Sequence, residues 1–200
     1  MPEERGATPV AAIPLPGVQL VLEFVNTRSI VGSPEHLQNA ASMRDWLRSH
    51  CLIRQDDPVT AADVAYAGEI RAALVTLLLD HVDHEGEGVE EAEQRLARAA
   101  DLHPVAPRIG VDSGQWMPLQ SGVAGFFGAV LAAAAQVGSS GSWKRLKACK
   151  NHACYLGFLD RTKNSSAMYC SSKCSSQMAS RAYRTRQAEA RAAGEEAVAH

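Results

Sequence analysis

Four of the five cysteines lie in two closely spaced pairs in the last third of the 200-residue chain. Four residues separate Cys149 from Cys154, three separate Cys170 from Cys174, and fifteen lie between the pairs. Two such pairs, each on a short turn, are typical of a site for one tetrahedral Zn²⁺. Four thiolates fill the coordination sphere and leave no position for water. The spacing therefore predicts one structural Zn²⁺ per chain, with these four cysteines as its ligands and no catalytic role.

Basic residues are concentrated around these cysteines. Residues 143–191 contain eleven Lys and Arg against two acids, although the whole chain has a net charge of −2. The rest of the chain is therefore acidic. This segregation predicts that the carboxyl-terminal module attracts polyanions, whereas the preceding part repels them.

A helix that begins near Ser171 would bring Cys170 and Cys174 to one metal ion. Helical spacing then aligns five polar side chains on one exposed stripe, namely Lys173, Gln177, Arg181, Arg184 and Arg191. Three smaller side chains lie opposite, against the cysteine turn, namely Met178, Ala182 and Thr185. Such a stripe fits the major groove of duplex DNA, although a solvated helix face has the same composition. The residues predicted to contact DNA are Lys147, Lys150, Lys163, Lys173 and Arg186 at phosphates, and Gln177, Arg181 and Arg184 at base edges.

The run CKNHACYLGFLDRTKNSSAMYCSSKC, followed by an Arg-rich helix, resembles the CGNR-type zinc finger. That family combines a Cys-x4-Cys knuckle, an aromatic-rich hairpin with a Leu-Asp-Arg turn, and Cys-x3-Cys-Gly-Asn-Arg at the start of a helix. This chain departs from the name-giving sequence, because Ser175, Ser176 and Gln177 stand where the family has Gly, Asn and Arg. The matching positions are Cys149, Cys154, Phe158, Leu159, Asp160, Arg161, Asn164, Tyr169, Cys170 and Cys174.

The resemblance implies a treble-clef-like zinc finger, made of a knuckle, a hairpin and a helix, that binds DNA. The stretch LEFVNT at residues 22–27 is similar to the opening of the ABATE domain, which precedes the finger in members of the family. That domain is regarded as a stress-induced or ligand-responsive regulator. Together the two similarities cover most of the chain.

The hydrophobic pattern before the cysteines predicts a helical domain with one small β-hairpin, so that the chain is mainly α with an α+β organisation. Helices are expected at 17–27, where a strand is the alternative, at 33–50 with a break near Asn39, and at 60–82 after a capping box of Thr60 and Asp63. Further helices are expected at 89–102 and 121–137, and strands at 108–111 and 115–119 around a turn at 112–114. The expected divisions are a mobile arm (1–16), a helical regulatory domain (17–137), a Gly/Ser linker (138–142), a zinc finger with its basic helix (143–191) and a frayed tail (192–200).

A polar group at the end of the first helix has two interpretations. Glu23, Asn26 and Arg28 are expected either to form the rim of a ligand pocket or to cap the helix and satisfy core contacts. Phe126 and Phe127 are expected either to line the same pocket or to pack in the core. The pocket interpretation implies a small-molecule effector.

These observations favour a transcription regulator that binds duplex DNA as a homodimer, since one small module gives weak binding alone. Two alternatives remain open. The finger could bind RNA, with Tyr155, Phe158 and Tyr169 stacked on bases, or it could serve as an adaptor for an acidic protein. The chain shows no catalytic motif, so an enzyme is not expected. The sequence shows no membrane span or signal peptide, and free thiols at metal spacing indicate the cytoplasm.

Overall fold

The computed structural model describes residues 16–30, 34–83, 86–111 and 114–198, with side chains as far as Arg191. The expected arm at 1–16 therefore lies outside the described residues, except Pro16. The same is true of Ser33, of most of the turn at 112–114, and of the last two residues of the chain.

The described residues of the amino-terminal part form five helices and one hairpin. The helices are α1 (Gly17–Val25), α2 (Ala40–Ser49), α3 (Ala61–Asp83), α4 (Val89–Leu102) and α5 (Gly122–Ser139). The strands β1 (Val105–Ile109) and β2 (Gly114–Pro118) pair antiparallel between α4 and α5. The expected mainly α fold with one small hairpin is confirmed for this part of the chain.

Local hydrogen bonds explain where the helices begin. At α3 the expected cap is confirmed, because the Asp63 carboxylate accepts from the Thr60 N–H while the Thr60 hydroxyl accepts from the Asp63 N–H. The expected start of α2 near Ser33 is wrong, because that helix begins only at Ala40. Asn39 and Ser42 form the capping box there, each side chain accepting from the other residue's N–H.

The hairpin begins earlier than expected. Strand β1 starts at Val105 rather than at Arg108, and it includes Pro107, which lacks an N–H. A proline is tolerated here because the sheet has only two strands, so that each strand has an open edge. The hairpin lies against α5, where Gly128 permits close approach: a Cβ at that position would lie 3.2 Å from the His103 carbonyl oxygen.

Helix α5 forms the centre of the core. Phe126 contacts Phe24 of α1 and Trp46 of α2 edge to face, at centroid distances of 5.5 and 5.9 Å. Phe126 and Phe127 are buried with exposures of 1% and 2%, so the pocket interpretation of these two residues is wrong. Among the described residues, α5 is the one helix long and apolar enough to cross a membrane, but much of it is buried inside this protein.

The cysteine-rich module shares this core. Strand β3 (Leu146–Ala148) pairs antiparallel with β4 (Gly157–Leu159), and α6 (Ser172–Val198) follows. The side chains of Leu146 and Ala148 are fully buried in the same hydrophobic cluster as α1, α3 and α5. Two helices extend beyond their expected ends: α5 reaches Ser139 in the predicted linker, and α6 continues past Arg191 as far as Val198 in the predicted tail.

Asn26, in the LEFVNT stretch, joins the two parts of the chain. Its side-chain oxygen accepts from the Gly157 N–H at 2.7 Å, and its amide nitrogen donates to the Gly157 carbonyl at 3.0 Å. Asn26 thus satisfies both backbone groups of one β4 residue, as a neighbouring strand would. Position 157 requires glycine, because a Cβ there would lie 2.5 Å from Cγ2 of Val25.

We expect the Asn26→Ala variant to lower the free energy of unfolding by about 1–3 kcal/mol, because it leaves the Gly157 N–H and carbonyl without partners. Urea denaturation of the zinc-loaded chain measures this loss. Gln38→Ala is the matched control: it removes a side-chain amide from an exposed position, so its loss should be smaller. Wild-type stability of Asn26→Ala would contradict the role assigned to this side chain.

Candidate zinc centre

The four predicted cysteines converge at one point. Cys149 follows β3, Cys154 ends the tight turn that follows it, and Cys170 and Cys174 lie at the start of α6. The turn from Cys149 to Cys154 is the zinc knuckle. The four Sγ atoms lie within 4.8 Å of one another. The two strands β3 and β4 therefore flank the first cysteine pair, whereas the resemblance placed a hairpin between the two pairs.

The sulfur positions fit a tetrahedral metal ion. A Zn–S distance of about 2.3 Å implies sulfurs about 3.8 Å apart. Sγ of Cys170 lies 3.7 Å from those of both Cys154 and Cys174. These separations are far longer than a disulfide bond, and all four cysteines are free thiols. The residues present therefore fit one structural Zn²⁺ with a complete set of thiolate ligands.

The protonation of the thiols is set by burial and by hydrogen bonds. Burial raises the pKa of Cys154 and of Cys170. Burial also acts on Cys174, but hydrogen bonds from Asn151, Ser171 and Cys170 outweigh it and lower the pKa of that thiol to about 7. Zn²⁺ binds thiolates, so its binding would displace the protons that the other thiols hold.

Asn151 organises the knuckle. The residue is 1% exposed, and its backbone carbonyl accepts from the N–H groups of Cys154 and Tyr155 at 2.7 and 3.1 Å. Its side-chain nitrogen donates to Oε1 of Gln177 at 2.9 Å, and its side-chain oxygen accepts from Arg181 at 3.4 Å. The knuckle therefore fixes the first turns of α6 through one asparagine.

A buried ion pair holds the loop between β4 and Cys170. Nζ of Lys147 lies 2.8 Å from Oδ2 of Asp160, and both side chains are almost fully buried. The same ammonium donates to the carbonyls of Ser165 and Ala167. Asp160 also accepts from the N–H of Thr162 at 2.8 Å and from that of Ala167 at 2.9 Å.

This environment lowers the pKa of Asp160. Burial alone would raise it, but the ammonium of Lys147 and the hydrogen bonds from Thr162 and Ala167 outweigh burial and hold the pKa well below its usual range. The prediction that Lys147 contacts a DNA phosphate is wrong, because its ammonium lies inside the module with all its donors engaged.

The other predicted DNA contacts occupy three kinds of position. Lys163, Lys173, Arg184 and Arg186 are exposed. Lys150 lies 3.8 Å from the Asp83 carboxylate of α3, so it faces the helical domain. Gln177 and Arg181 turn toward Asn151, as described above.

The prediction that Met178, Ala182 and Thr185 lie against the cysteine turn is only partly correct. Met178 is half-buried, but Ala182 and Thr185 are exposed. The helix has left the module by the time it reaches these two residues.

The predicted pocket residues do not form one site. The Glu23 carboxylate lies 3.8 Å from His50 on the surface, and Asn26 contacts Gly157. Arg28 alone of this set borders a described cavity, where its guanidinium lies over the Tyr155 ring at 5.1 Å.

The structure therefore defines a helical domain joined through a shared core to a four-cysteine zinc finger. Comparison with family models identifies both parts. Residues 19–138 match the ABATE family, described as "Putative stress-induced transcription regulator", and residues 145–187 match the CGNR zinc finger. The chain belongs to the ABATE family and carries a CGNR zinc finger, as the resemblance indicated. A comparison with curated proteins finds no match.

Sequence reasoning missed Asn151 and Arg71. An asparagine inside a Cys-x4-Cys turn could have indicated a side chain that organises the turn. An arginine in an apolar helix such as α3 could have indicated a buried partner. That partner is Glu35, whose carboxylate lies 2.7 Å from Nη1 of Arg71. The pKa of Glu35 is lowered, since contact with Arg71 and the Leu37 N–H outweighs the effect of burial.

We expect the Cys154→Ser variant to lose the bound zinc and to unfold the knuckle, because three thiolates no longer complete the site and metal binding supplies folding energy. Elemental analysis of purified protein measures the zinc content. Cys51→Ser is the matched control and should keep one zinc per chain, since Cys51 lies outside the cluster. Full zinc content in Cys154→Ser would rule out the assigned ligand set.

We expect Asp160→Asn to lower the free energy of unfolding by about 3–5 kcal/mol, because it leaves the Lys147 charge buried without a partner. The control Asp56→Asn removes a carboxylate that is 82% exposed and should change little. The direction in which this stabilisation changes with pH follows from the lowered pKa of Asp160. Its stabilisation is present above the unfolded value of about 4 and is lost as the pH falls below it. Equal denaturation midpoints for the two variants would contradict the prediction.

Proposed function

We propose that this protein is a zinc-dependent regulator that binds duplex DNA through α6. The observation that carries the proposal is the exposure of this helix. Only Cys174 is buried and only Met178 is half-buried among the side chains described from Ser172 to Arg191. That span holds five Lys and Arg against one acid. A long basic helix fixed at one end and exposed beyond it is suited to contact a polyanion.

The orientation of α6 selects the contacts that we retain. At 100° per residue, Cys174, Met178 and Arg181 define the side that faces the knuckle. Arg184 and Lys173 then lie on one flank of the outer side and Arg186 lies on the other, with Tyr183 between them. We propose that Arg184 approaches the base edges and that Lys163, Lys173 and Arg186 hold phosphates. Gln177 and Arg181 instead support the helix through Asn151.

We further propose that two chains act together on a two-fold symmetric site. One helix presents few base contacts, and modules of this size reach specific affinity by pairing. The helical domain then supplies dimer contacts or the response to an effector. We place this activity in the cytoplasm, because the zinc ligands require reduced thiols.

The alternatives draw less support from the geometry. Phe158 and Tyr169 are half-buried against the cysteine cluster, and Tyr155 stacks on Arg28, so the aromatics proposed for RNA stacking are engaged within the protein. An adaptor for an acidic protein would use the same charge on α6. Neither matched family is a family of enzymes.

Selection from a random duplex DNA library tests the function. The zinc-loaded full chain should enrich a two-fold symmetric motif, and chelation should abolish the enrichment, because α6 is positioned by the zinc ligands. Binding should weaken as salt rises, since counterions are released from phosphates. Equal binding to single-stranded RNA, or salt-sensitive binding with no enriched motif, would contradict the proposal.

We expect Arg184→Ala to weaken binding to the selected motif by about 1–3 kcal/mol and to relax specificity, because it removes a contact with a base. Lys173→Ala should weaken binding to all sequences alike and reduce the salt slope by about one. Arg98→Ala is the control, because it removes an exposed arginine from α4. Quantitative binding assays at two salt concentrations distinguish these outcomes. An effect of Arg98→Ala as large as that of Arg184→Ala would point to charge alone.

A further inference from the structure

A cleft of about 470 Å³ lies between α3 and the zinc knuckle. Arg28, Arg71, Val75, Leu79 and Tyr155 are among the residues that line it. We refer to it as the α3 cleft. Its volume is within the range of small-molecule sites, and its lining combines apolar side chains with a few polar groups, as such sites do.

A glycine in the first third of α3 lines the cleft. This residue is Gly68, and a Cβ at this position would meet no atom within 4 Å. Packing therefore does not require glycine at position 68. Glycine is the least favourable residue in a helix interior after proline. A glycine at position 68 is explained if a larger side chain would fill the part of the cleft that a ligand occupies.

The backbone of Tyr155 adopts a conformation that is more common for glycine. Its φ is 52°, in the left-handed region that is uncommon for aromatic residues. The knuckle turn imposes this conformation, since the N–H of Tyr155 donates to the Asn151 carbonyl. The Tyr155 ring lines the cleft and its hydroxyl contacts Nδ1 of His152 at 2.7 Å. The residue that follows the zinc ligand Cys154 thus contributes an aromatic ring to the lining of the cleft.

The charges in the cleft favour a monoanion. Two guanidinium groups, of Arg28 and Arg71, face one carboxylate, that of Glu35. Among the described residues, Nη1 is the only Arg71 nitrogen that makes a hydrogen bond, to Glu35 and Thr27. The acids Asp80, Asp83 and Glu87 line the adjoining cavity, together with Lys150, and none of these four lines this one. Two cations against one anion leave a single positive charge for a ligand to neutralise.

We propose that the α3 cleft binds a small organic monocarboxylate whose aryl or alkyl body rests on Val75 and Leu79, beside the Tyr155 ring over which Arg28 lies. Arg28 and Arg71 recognise the carboxylate. Because Tyr155 adjoins Cys154, an occupied cleft would restrain the knuckle that positions α6. The biological role of this site rests on the proposed regulatory function, but binding itself does not.

Isothermal titration calorimetry of the zinc-loaded full chain with benzoate tests the proposal without DNA. Benzamide and benzylamine are the matched neutral and cationic probes. Benzoate should bind at millimolar concentrations or tighter, and at least tenfold more tightly than either control. Equal affinity for the three probes, or no heat from benzoate, would overturn the ligand class.

Gly68→Leu tests the location, because leucine fills the cleft while improving the helix, so the variant should fold and melt at a higher temperature. Benzoate affinity should fall at least tenfold in Gly68→Leu and in Arg28→Gln. It should be unchanged in Ala65→Leu, which introduces the same side chain at an exposed position of α3 outside the cleft. Wild-type benzoate affinity in Gly68→Leu would overturn the site. These results are independent of the DNA selection, so either proposal can fail alone.

Discussion

The buried ion pair between Lys147 and Asp160 is the interaction on which the finger depends. Lys147 lies on β3 between two residues that insert into the helical core, and Asp160 follows β4. Removing two charges from water costs several kcal/mol per ion, and only good geometry with additional hydrogen bonds offsets this cost. The pair meets that condition, because backbone groups of Thr162, Ser165 and Ala167 complete the shell around it. The loop that leads to Cys170 is thereby fixed without a hydrophobic core of its own.

Charge and packing divide this chain differently. The charge boundary falls near residue 143, where the acidic part gives way to the basic part. Packing shows no boundary at that point, because β3 is buried against α1, α3 and α5. In addition, Nδ1 of His81 in α3 lies 2.7 Å from the Leu146 carbonyl oxygen. Burial lowers the pKa of His81, although that hydrogen bond opposes the effect. The two family segments thus share one core, and any event at the surface of α3 is close to the zinc ligands.

Sequence patterns predicted what depends on local spacing. The four ligands, the bounds of α4 and the cap of α3 follow from metal geometry, helical periodicity and capping chemistry, all of which act over a few residues. The roles of Lys147, Gln177 and Phe126 depend on partners far along the chain. The start of α2 was missed although its capping box is local, spanning only Asn39 to Ser42. A lysine in a basic segment gives no sign that an aspartate thirteen residues later will enclose it. The cleft was missed for the same reason, since its walls come from three separated segments.

Helix α6 is attached to the module at one end, so a small tilt at that end produces a large displacement at the other. Its 27 residues span about 40 Å at 1.5 Å per residue, and among the side chains described as far as Arg191, those that contact the module lie in the first three turns. A tilt of about 5° at the base would therefore move the far end by about 3.5 Å, comparable with the spacing of adjacent base pairs. Sub-ångström adjustments among the thiol ligands and Asn151 are thus amplified along the helix. The metal centre therefore determines the positions of arginines that lie too far away to contact it.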